Sequence, residues 1–207
     1  MRIALSIRRM IDRPERFAGL YELFRQAEIQ LKQTEEIDRN LTIPAVNELR
    51  YVAFHLLRAL SEQDSNGFDA DIERAENHAK RAIYDATEAS ILSLLEKAEA
   101  YQADFRTLEC TTEVLPNYVD LLRQLEKIRR GVSDIRASEE LYLNRQQYYP
   151  QVIESIADLR ELVATLEQAD PLIRVKSRKK AIQLLLLVIS VLAAIFGIAV
   201  SVGLHLL

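Results

Sequence analysis

Glycine, cysteine and tryptophan are scarce in this chain of 207 residues, which has five glycines, one cysteine and no tryptophan. Only three of the glycines precede residue 181, and they form neither a flexible linker nor a phosphate-binding loop. The lone cysteine, Cys110, excludes an internal disulfide and is typical of a reducing compartment, where we expect it to be an ordinary helix residue. No zinc-ligand spacing and no HExxH motif is present, so we expect neither a metal nor a cofactor.

Charge is absent from the last 27 residues, Ala181–Leu207. Their only polar interruptions are Gln183, Ser190, Ser201 and His205. A bilayer core about 30 Å thick needs ~20 apolar residues, and this run could reach roughly 40 Å as a helix, enough for one crossing with some tilt. Because only a helix satisfies its own backbone polar groups in lipid, the run predicts one C-terminal transmembrane helix. The alternative, a core helix of a larger soluble assembly, would be unusually long.

The charges that precede this run are divided unevenly. Residues 1–173 carry 22 basic and 31 acidic side chains, a net charge of −9. The segment 174–180 carries five cations and no acid; they are Arg174, Lys176, Arg178, Lys179 and Lys180. A basic segment beside a membrane helix marks the cytoplasmic side and favours anionic headgroups. We therefore expect a protein of the inner (cytoplasmic) membrane, with the lipid bilayer as a partner and most of the chain in the cytoplasm.

The beginning of the chain does not resemble a secretory signal. Arginines interrupt Met1–Arg9, and no continuous apolar region follows. The anchor is therefore expected to insert late in synthesis or after it, as in tail-anchored proteins.

The composition before residue 174 predicts an all-α fold. Good helix formers dominate, and no alternating strand pattern is present. We predict an elongated, mostly antiparallel helical bundle over 1–173, a basic juxtamembrane segment over 174–180 and a transmembrane helix over 181–207. The prolines and one turn cluster predict five helices in the bundle. Their expected limits are Pro14–Glu36, Thr42 to the Gln63–Gly67 turn, Asp69–Thr107, Pro116–Gln147 and Pro150–Gln168, the last ending before Asp170-Pro171.

Two of these helices carry recognisable apolar faces. The second has a stripe at helical spacing, formed by Leu49, Val52, Ala53, Leu56 and Leu60. The third has a face of small side chains, formed by Ala75, Ala79, Ala82, Ala86 and Ala89. Small side chains let helices approach closely, and the second helix is the expected neighbour of this face.

The segment from Arg50 to His55 fits the pattern R-x4-H. Here the chain resembles HEPN-domain proteins, which are all-α bundles that include many ribonucleases. The resemblance implies that Arg50 and His55 are catalytic and act across two protomers on the RNA 2′-hydroxyl and phosphate, without a metal. Five residues turn a helix by about 500°, so the two side chains point ~140° apart and cannot converge within one copy. The alternative is that both residues flank the apolar stripe as rim residues.

A second polar row lies on one face of the third helix and consists of Arg74, His78, Arg81 and Asp85. Its first three members, Arg74, His78 and Arg81, are candidates for binding an anion or for meeting the R-x4-H motif in a shared groove. The alternative is an Arg81–Asp85 ion pair within the helix, worth ~0.2–0.5 kcal/mol. The net charge of −9 disfavours general nucleic-acid binding, which depends on cations.

The apolar run has a face of small residues at helical spacing, formed by Ser190, Ala193, Ala194, Gly197 and Ser201. In lipid, such faces drive helix association, which predicts a homo-oligomer. The alternative is a lone anchor in which the small residues are incidental.

Three functional hypotheses follow. The first is a membrane-anchored interaction or effector module that self-associates, has a cytosolic protein partner and performs no chemistry of its own. The second is a membrane-anchored, HEPN-like ribonuclease, the only one that requires RNA. The third is an oligomer that perturbs the membrane or forms a pore. The HEPN resemblance implies bacterial antiviral defence for the first, because small HEPN-like proteins with one membrane helix accompany such systems.

Overall fold

The computed structural model describes residues 14–61, 65–137 and 145–205, and side chains for 14–61, 66–134, 137 and 155–198. All regular structure in these ranges is helical, which confirms the predicted all-α class. In chain order the helices are α1 (Pro14–Asp38), α2 (Ile43–Ser61), α3 (Ser65–Phe105), α4 (Thr111–Val114), α5 (Tyr118–Ala137) and α6 (Arg145–His205). The segment Met1–Arg9 and the first part of the predicted Gln63–Gly67 turn lie outside the described residues. Its last three residues, Ser65–Gly67, belong to α3, so the predicted start of this helix near Asp69 is four residues too late.

Local chemistry accounts for the turn between α1 and α2. Arg39 has a left-handed φ of 59° and donates its backbone N–H to the carbonyl of Glu35 at 2.7 Å, which closes the end of α1. The Lys97 ammonium satisfies another carbonyl of this last turn, that of Ile37. At the start of α2, the carbonyl of Thr42 accepts a hydrogen bond from the Val46 N–H at 3.1 Å. Pro44 lies in that first turn, where its missing N–H costs nothing.

Prolines do not end the last helix, and here the predicted limits are wrong. α6 runs without a break through Pro150 and Pro171, whereas a helix ending at Gln168 had been expected. Pro171 is exposed, and so is Glu167, whose carbonyl loses its partner; water can therefore replace the single missing hydrogen bond. An ion pair between Arg174 Nε and Asp170 Oδ1, at 2.7 Å, also spans the turn that contains Pro171.

The predicted fourth helix also differs from the structure. α5 is described up to Ala137, and Gln147 lies in the same helix as Pro150, so the predicted limit between the fourth and fifth helices at Gln147 is wrong. The short helix α4 was not predicted, because four residues carry too little periodicity to be recognised.

The chain forms two compact units. The first unit comprises residues 1–97 and 127–160, and the second comprises 98–126 and 161–207. The predicted domain boundary at residue 173 stays a prediction.

In the first unit the alanine face of α3 packs against two helices. Leu20 of α1 and Val52 of α2 form one buried cluster with Ala75 and Ala79. Further along, Ala27 of α1 packs against Ala82. Contacts between α1 and α3 thus advance together along both helices, so these helices run parallel, whereas α2 runs antiparallel to α3. The predicted neighbour, α2, is present, but α1 shares the alanine face with it.

The predicted stripe of α2 is confirmed at three positions, is half-buried at Leu60 and is wrong at one position. Val52 is buried, and Leu49 and Leu56 pack against the core clusters. Ala53 is exposed, because it follows Val52 by about 100° and so passes beyond the edge of the contact. Ala45 and Ala59, which the sequence stripe did not include, are fully buried.

Candidate functional site

The candidate site lies between α2 and α3, where two histidine rings stack. The centroids of His55 and His78 are 5.2 Å apart and the ring planes are inclined by 16°. The ring of Tyr51 stacks on His78 at 5.1 Å. The guanidinium carbon of Arg50 lies 5.0 Å from the centroid of Tyr51, within range of a cation–π contact. Four side chains therefore form a continuous stack in the order Arg50, Tyr51, His78, His55.

Each histidine is held by a carboxylate from the opposite helix. His55 Nδ1 lies 3.0 Å from Asp71 Oδ1. His78 Nδ1 lies 2.6 Å from Glu48 Oε2. The antiparallel course of α2 and α3 causes this pairing, since a step forward on one helix matches a step back on the other. A carboxylate at Nδ1 fixes the proton there and leaves Nε2 of the neutral ring as the basic nitrogen.

Asp71 is the buried charge at the centre of the site. Its side chain is only 1 % exposed, and Arg74 Nη1 lies 3.0 Å from Oδ1. Arg58 Nε approaches Oδ2 at 3.1 Å as an ion pair, although Oδ2 accepts no well-aligned hydrogen bond from the described residues. Burial raises the pKa of Asp71, but hydrogen bonds from His55 and Arg74, with the charge of Arg58, outweigh it, so the pKa is lowered. The carboxylate is therefore ionised at neutral pH.

The structure brings some of the predicted residues together and keeps others apart. His55, His78 and Arg74 belong to one polar cluster, the shared groove that the sequence suggested as one option. Arg50 is exposed at the far end of the stack from His55, so the two ends of the R-x4-H motif do not converge within one copy. Arg81 is exposed on α3.

Sequence reasoning missed Asp71, Glu48 and Arg58. Asp71 carried a usable signal, because it lies four residues before Ala75, on the face of α3 that the alanines bury. A carboxylate on a buried face requires cationic partners, which directs the search to the neighbouring helix. Glu48 and Arg58 carried no comparable signal, since charged residues are common on exposed helix faces.

The arrangement suits proton transfer better than metal binding. No group of three metal-ligating side chains occurs among the described residues. The two imidazole rings are almost parallel, so their in-plane lone pairs do not converge on one point. Both rings retain slight side-chain exposure, 12 % for His55 and 16 % for His78, which gives solvent or a ligand access to their edges.

Ion pairs organise the basic segment 174–180 in the second unit. Arg174 contacts Asp104 at 2.6 Å and Asp170 at 2.7 Å. Glu113, in α4, pairs with Lys176 at 2.9 Å and with Lys180. Hydrogen bonds from the two lysines lower the pKa of Glu113 to about 2.

The same face of α6 contacts the residue before α4. The Cys110 thiol is buried and donates to the carbonyl of Ile173 at 3.3 Å. The predicted role of this cysteine as an ordinary packing residue fits its position.

Downstream of the basic segment, α6 is apolar and uncovered. Every side chain from residue 181 to 198 is exposed, and this is the one stretch in the described part of the chain that is long and apolar enough to cross a membrane. On the predicted small-residue face, the Ser190 hydroxyl donates to the carbonyl of Leu187 at 2.7 Å. A Cβ placed on Gly197 would meet no atom within 4 Å, so space for a neighbouring helix is present. Ser201 and His205 lie outside the residues whose side chains are described.

No family model matches the chain, and neither a curated protein nor a solved structure matches it. The HEPN resemblance therefore stays a prediction that depends on Arg50 and His55.

Proposed function

We propose that this chain is a single-pass protein of the cytoplasmic membrane whose helical part faces the cytoplasm and acts as a self-associating interaction module. One observation carries the proposal: residues 181–198 form a helix that is uncharged and exposed along its whole length. The cations that precede this helix support the cytoplasmic orientation of the bulk of the chain.

The free energies favour lipid over water for this segment. Twelve of its 18 residues are leucine, isoleucine, valine or phenylalanine. At roughly 0.3–0.6 kcal/mol each for insertion at mid-membrane, they contribute at most about 4–7 kcal/mol in favour of the bilayer. The polar atoms of Gln183 and Ser190 offset only part of this, because Ser190 already bonds within the helix. A helix that remained exposed to water would gain none of this roughly 4–7 kcal/mol, at about 0.3–0.6 kcal/mol for each residue inserted.

Membrane insertion is tested by placing two arginines in the segment. Leu187→Arg with Val191→Arg should cost about 5–7 kcal/mol, on the basis of 2.5–3.5 kcal/mol for each central arginine. The wild-type protein should stay in the pellet after alkaline carbonate extraction, and the double variant should be released. Ala181→Arg, which adds a charge beside the existing cations, is the matched control and should remain in the pellet. Release of the wild-type protein would refute the proposal.

Orientation requires a separate test. Protease added to spheroplasts should leave the bulk of the chain intact, whereas protease added to inverted membrane vesicles should degrade it. The reverse pattern would show that the helical part lies outside the cytoplasm.

Self-association is tested on the small-residue face. Gly197→Val fills the open space next to the helix and should weaken oligomers of the full chain in detergent, as measured by sedimentation. Val188→Phe adds similar bulk about 180° from Gly197 around the helix and should leave the oligomer unchanged. A monomeric wild-type protein would contradict self-association. Dye leakage from liposomes that Gly197→Val abolishes would instead favour the pore hypothesis.

The cytosolic partner is tested by proximity labelling with the full chain in bacteria before and after phage infection. If the module serves antiviral defence, as the HEPN resemblance implies, a cytosolic protein should be labelled specifically after infection. Labelling that does not change on infection would argue against that role.

The histidine pair favours a second candidate, a metal-independent ribonuclease. A carboxylate at Nδ1 and a solvent-accessible edge are the features that a general acid or base needs near neutral pH. His55→Ala and His78→Ala should each abolish cleavage of single-stranded RNA by the full chain in the presence of EDTA. His205→Ala changes the third histidine of the chain and should have no effect. Equal activity in all three variants would remove this candidate.

A further inference from the structure

The five cations before the apolar segment are not equivalent. Lys176 and Lys180 share the Glu113 carboxylate. Arg174 is held between two other carboxylates, those of Asp104 and Asp170. Arg178 and Lys179 are exposed, and no ion pair or hydrogen bond engages them in the described part of the chain. Only two cations are thus uncommitted at the end of the charged part of α6.

Helix geometry places the uncommitted cations away from Glu113. At about 100° per residue, Lys176 and Lys180 lie within ~40° of each other on the face that meets α4. Arg178 lies on the opposite face, about 180° from the midpoint of that pair, and Lys179 lies about 80° from it. Neither can reach Glu113 while both lysines hold it.

The uncommitted cations also lie at the depth where lipid phosphates would lie. Lys179 precedes Ala181, the first residue of the uncharged run, by about 3 Å along the helix, and Arg178 by about 4.5 Å. These distances are well within the Debye length of ~8 Å at physiological salt, so screening does not remove an attraction to headgroups.

Glu113 is a permanent anion beside this surface. Because its pKa is about 2, mild acidification does not neutralise it. The five cations and their three carboxylate partners leave a net charge of +2, not the +5 that the sequence alone indicates. Only another anion that competes for Lys176 and Lys180 can release them from Glu113.

We propose that Arg178 and Lys179 form the surface that binds the phosphate of anionic lipid headgroups, while Glu113 withholds Lys176 and Lys180 from the same lipids. This inference depends on the proposed membrane insertion of α6. Arg178 and Lys179 then make the lipid contact, and Glu113 competes with lipid phosphates for Lys176 and Lys180.

The test measures lipid selectivity of the full chain reconstituted in phosphatidylcholine vesicles. Spin-labelled phosphatidylglycerol and spin-labelled phosphatidylcholine report the relative association constant at the protein surface. Arg178→Gln with Lys179→Gln should lower the preference for phosphatidylglycerol by roughly fivefold for each cation, the factor that corresponds to ~1 kcal/mol. Lys176→Gln with Lys180→Gln and Glu113→Gln removes the whole ion-paired cluster, including its anion, and should change the preference much less.

A third variant tests the competitor directly. Glu113→Gln releases both lysines and should raise the preference for phosphatidylglycerol above that of the wild-type protein. All variants alter exposed or half-buried side chains, and far-UV circular dichroism verifies that they remain helical. Carbonate extraction of the same samples separates the two proposals: if the Arg178/Lys179 variant remains inserted yet shows no selectivity change, this inference alone is refuted. A loss of roughly fivefold when the Lys176, Lys180 and Glu113 cluster is removed, the effect of one free cation, or no gain in Glu113→Gln, would overturn it.

Discussion

The alanine face of α3 and the apolar segment of α6 use apolar side chains in opposite ways. On α3 the small side chains of Ala75, Ala79 and Ala82 are completely buried against other helices. On α6 the large apolar side chains from residue 182 to 198 are exposed throughout this segment. Small side chains allow helices to pack at a short interaxial distance, whereas large apolar side chains make transfer of a helix into lipid more favourable. These two apolar faces therefore differ both in the size of their side chains and in their exposure.

Two carboxylates of the described residues, each with more than one cationic partner, also differ in exposure between the two units. Asp71 is buried in the first unit beside His55, Arg58 and Arg74, whereas Glu113 is exposed in the second unit beside two lysines. Hydrogen bonds from cationic partners lower the pKa of both carboxyl groups. Because Asp71 is buried, water cannot hydrate its charge if its partners are lost. The stability of the fold therefore depends on these ion pairs. Glu113 is exposed, so water can hydrate its carboxylate while lipid phosphates compete with it for Lys176 and Lys180.

The largest effect on folding is expected from Asp71→Asn. The change keeps the shape but leaves His55, Arg58 and Arg74 without their anion. Breaking a buried pair costs about 3–5 kcal/mol, and since both arginines are half-exposed we expect about 2–3 kcal/mol. The midpoint of urea unfolding of the full chain in detergent, followed by circular dichroism, measures the loss. Asp69→Asn removes a partly exposed partner of Arg16 and should cost less than about 1 kcal/mol; equal losses would show that burial is not decisive.

A slightly smaller effect is expected when the alanine face is overpacked. Ala79→Leu adds three carbon atoms where the side chain is fully buried between Leu20 and Val52, and should cost about 1–3 kcal/mol. Ala53→Leu makes the same change at an exposed position of α2 and should stay within about 0.5 kcal/mol. The same unfolding measurement compares them. If Ala79→Leu were neutral, the close approach of α1, α2 and α3 would be wrong.

The smallest effect is a dependence on acid. The folded-state pKa of Asp71 is lowered below its unfolded value, so the unfolded chain binds the proton more readily. Its contribution to stability is fully present above the unfolded pKa of about 3.9 and is lost as the pH falls through the folded pKa. The difference in urea midpoint between wild type and Asp71→Asn should therefore shrink from pH 5 to pH 2.5. A constant difference over this range would mean that Asp71 does not titrate as a paired carboxylate.

Local signals in the sequence determined the helical class, the first three helices and the apolar segment. Helix formers, turn residues and an uncharged run each act over a few residues, so their meaning is visible without the fold. Prolines were misleading at α6 for the same reason: a local signal cannot show that the affected carbonyl faces water. Pro171 would end a buried helix but is tolerated on an exposed turn.

Only the tertiary structure decided how the charged residues are used. The sequence places His55 and His78 more than twenty positions apart, and the antiparallel course of α2 and α3 brings their rings into contact. Likewise, the five cations of segment 174–180 look equivalent in the sequence. They differ in the structure because α4 places Glu113 against one face of α6, where it pairs with Lys176 and Lys180. Apolar periodicity can be read within a single helix. An ion pair between two helices cannot, because the packing of the helices decides which charged residues meet.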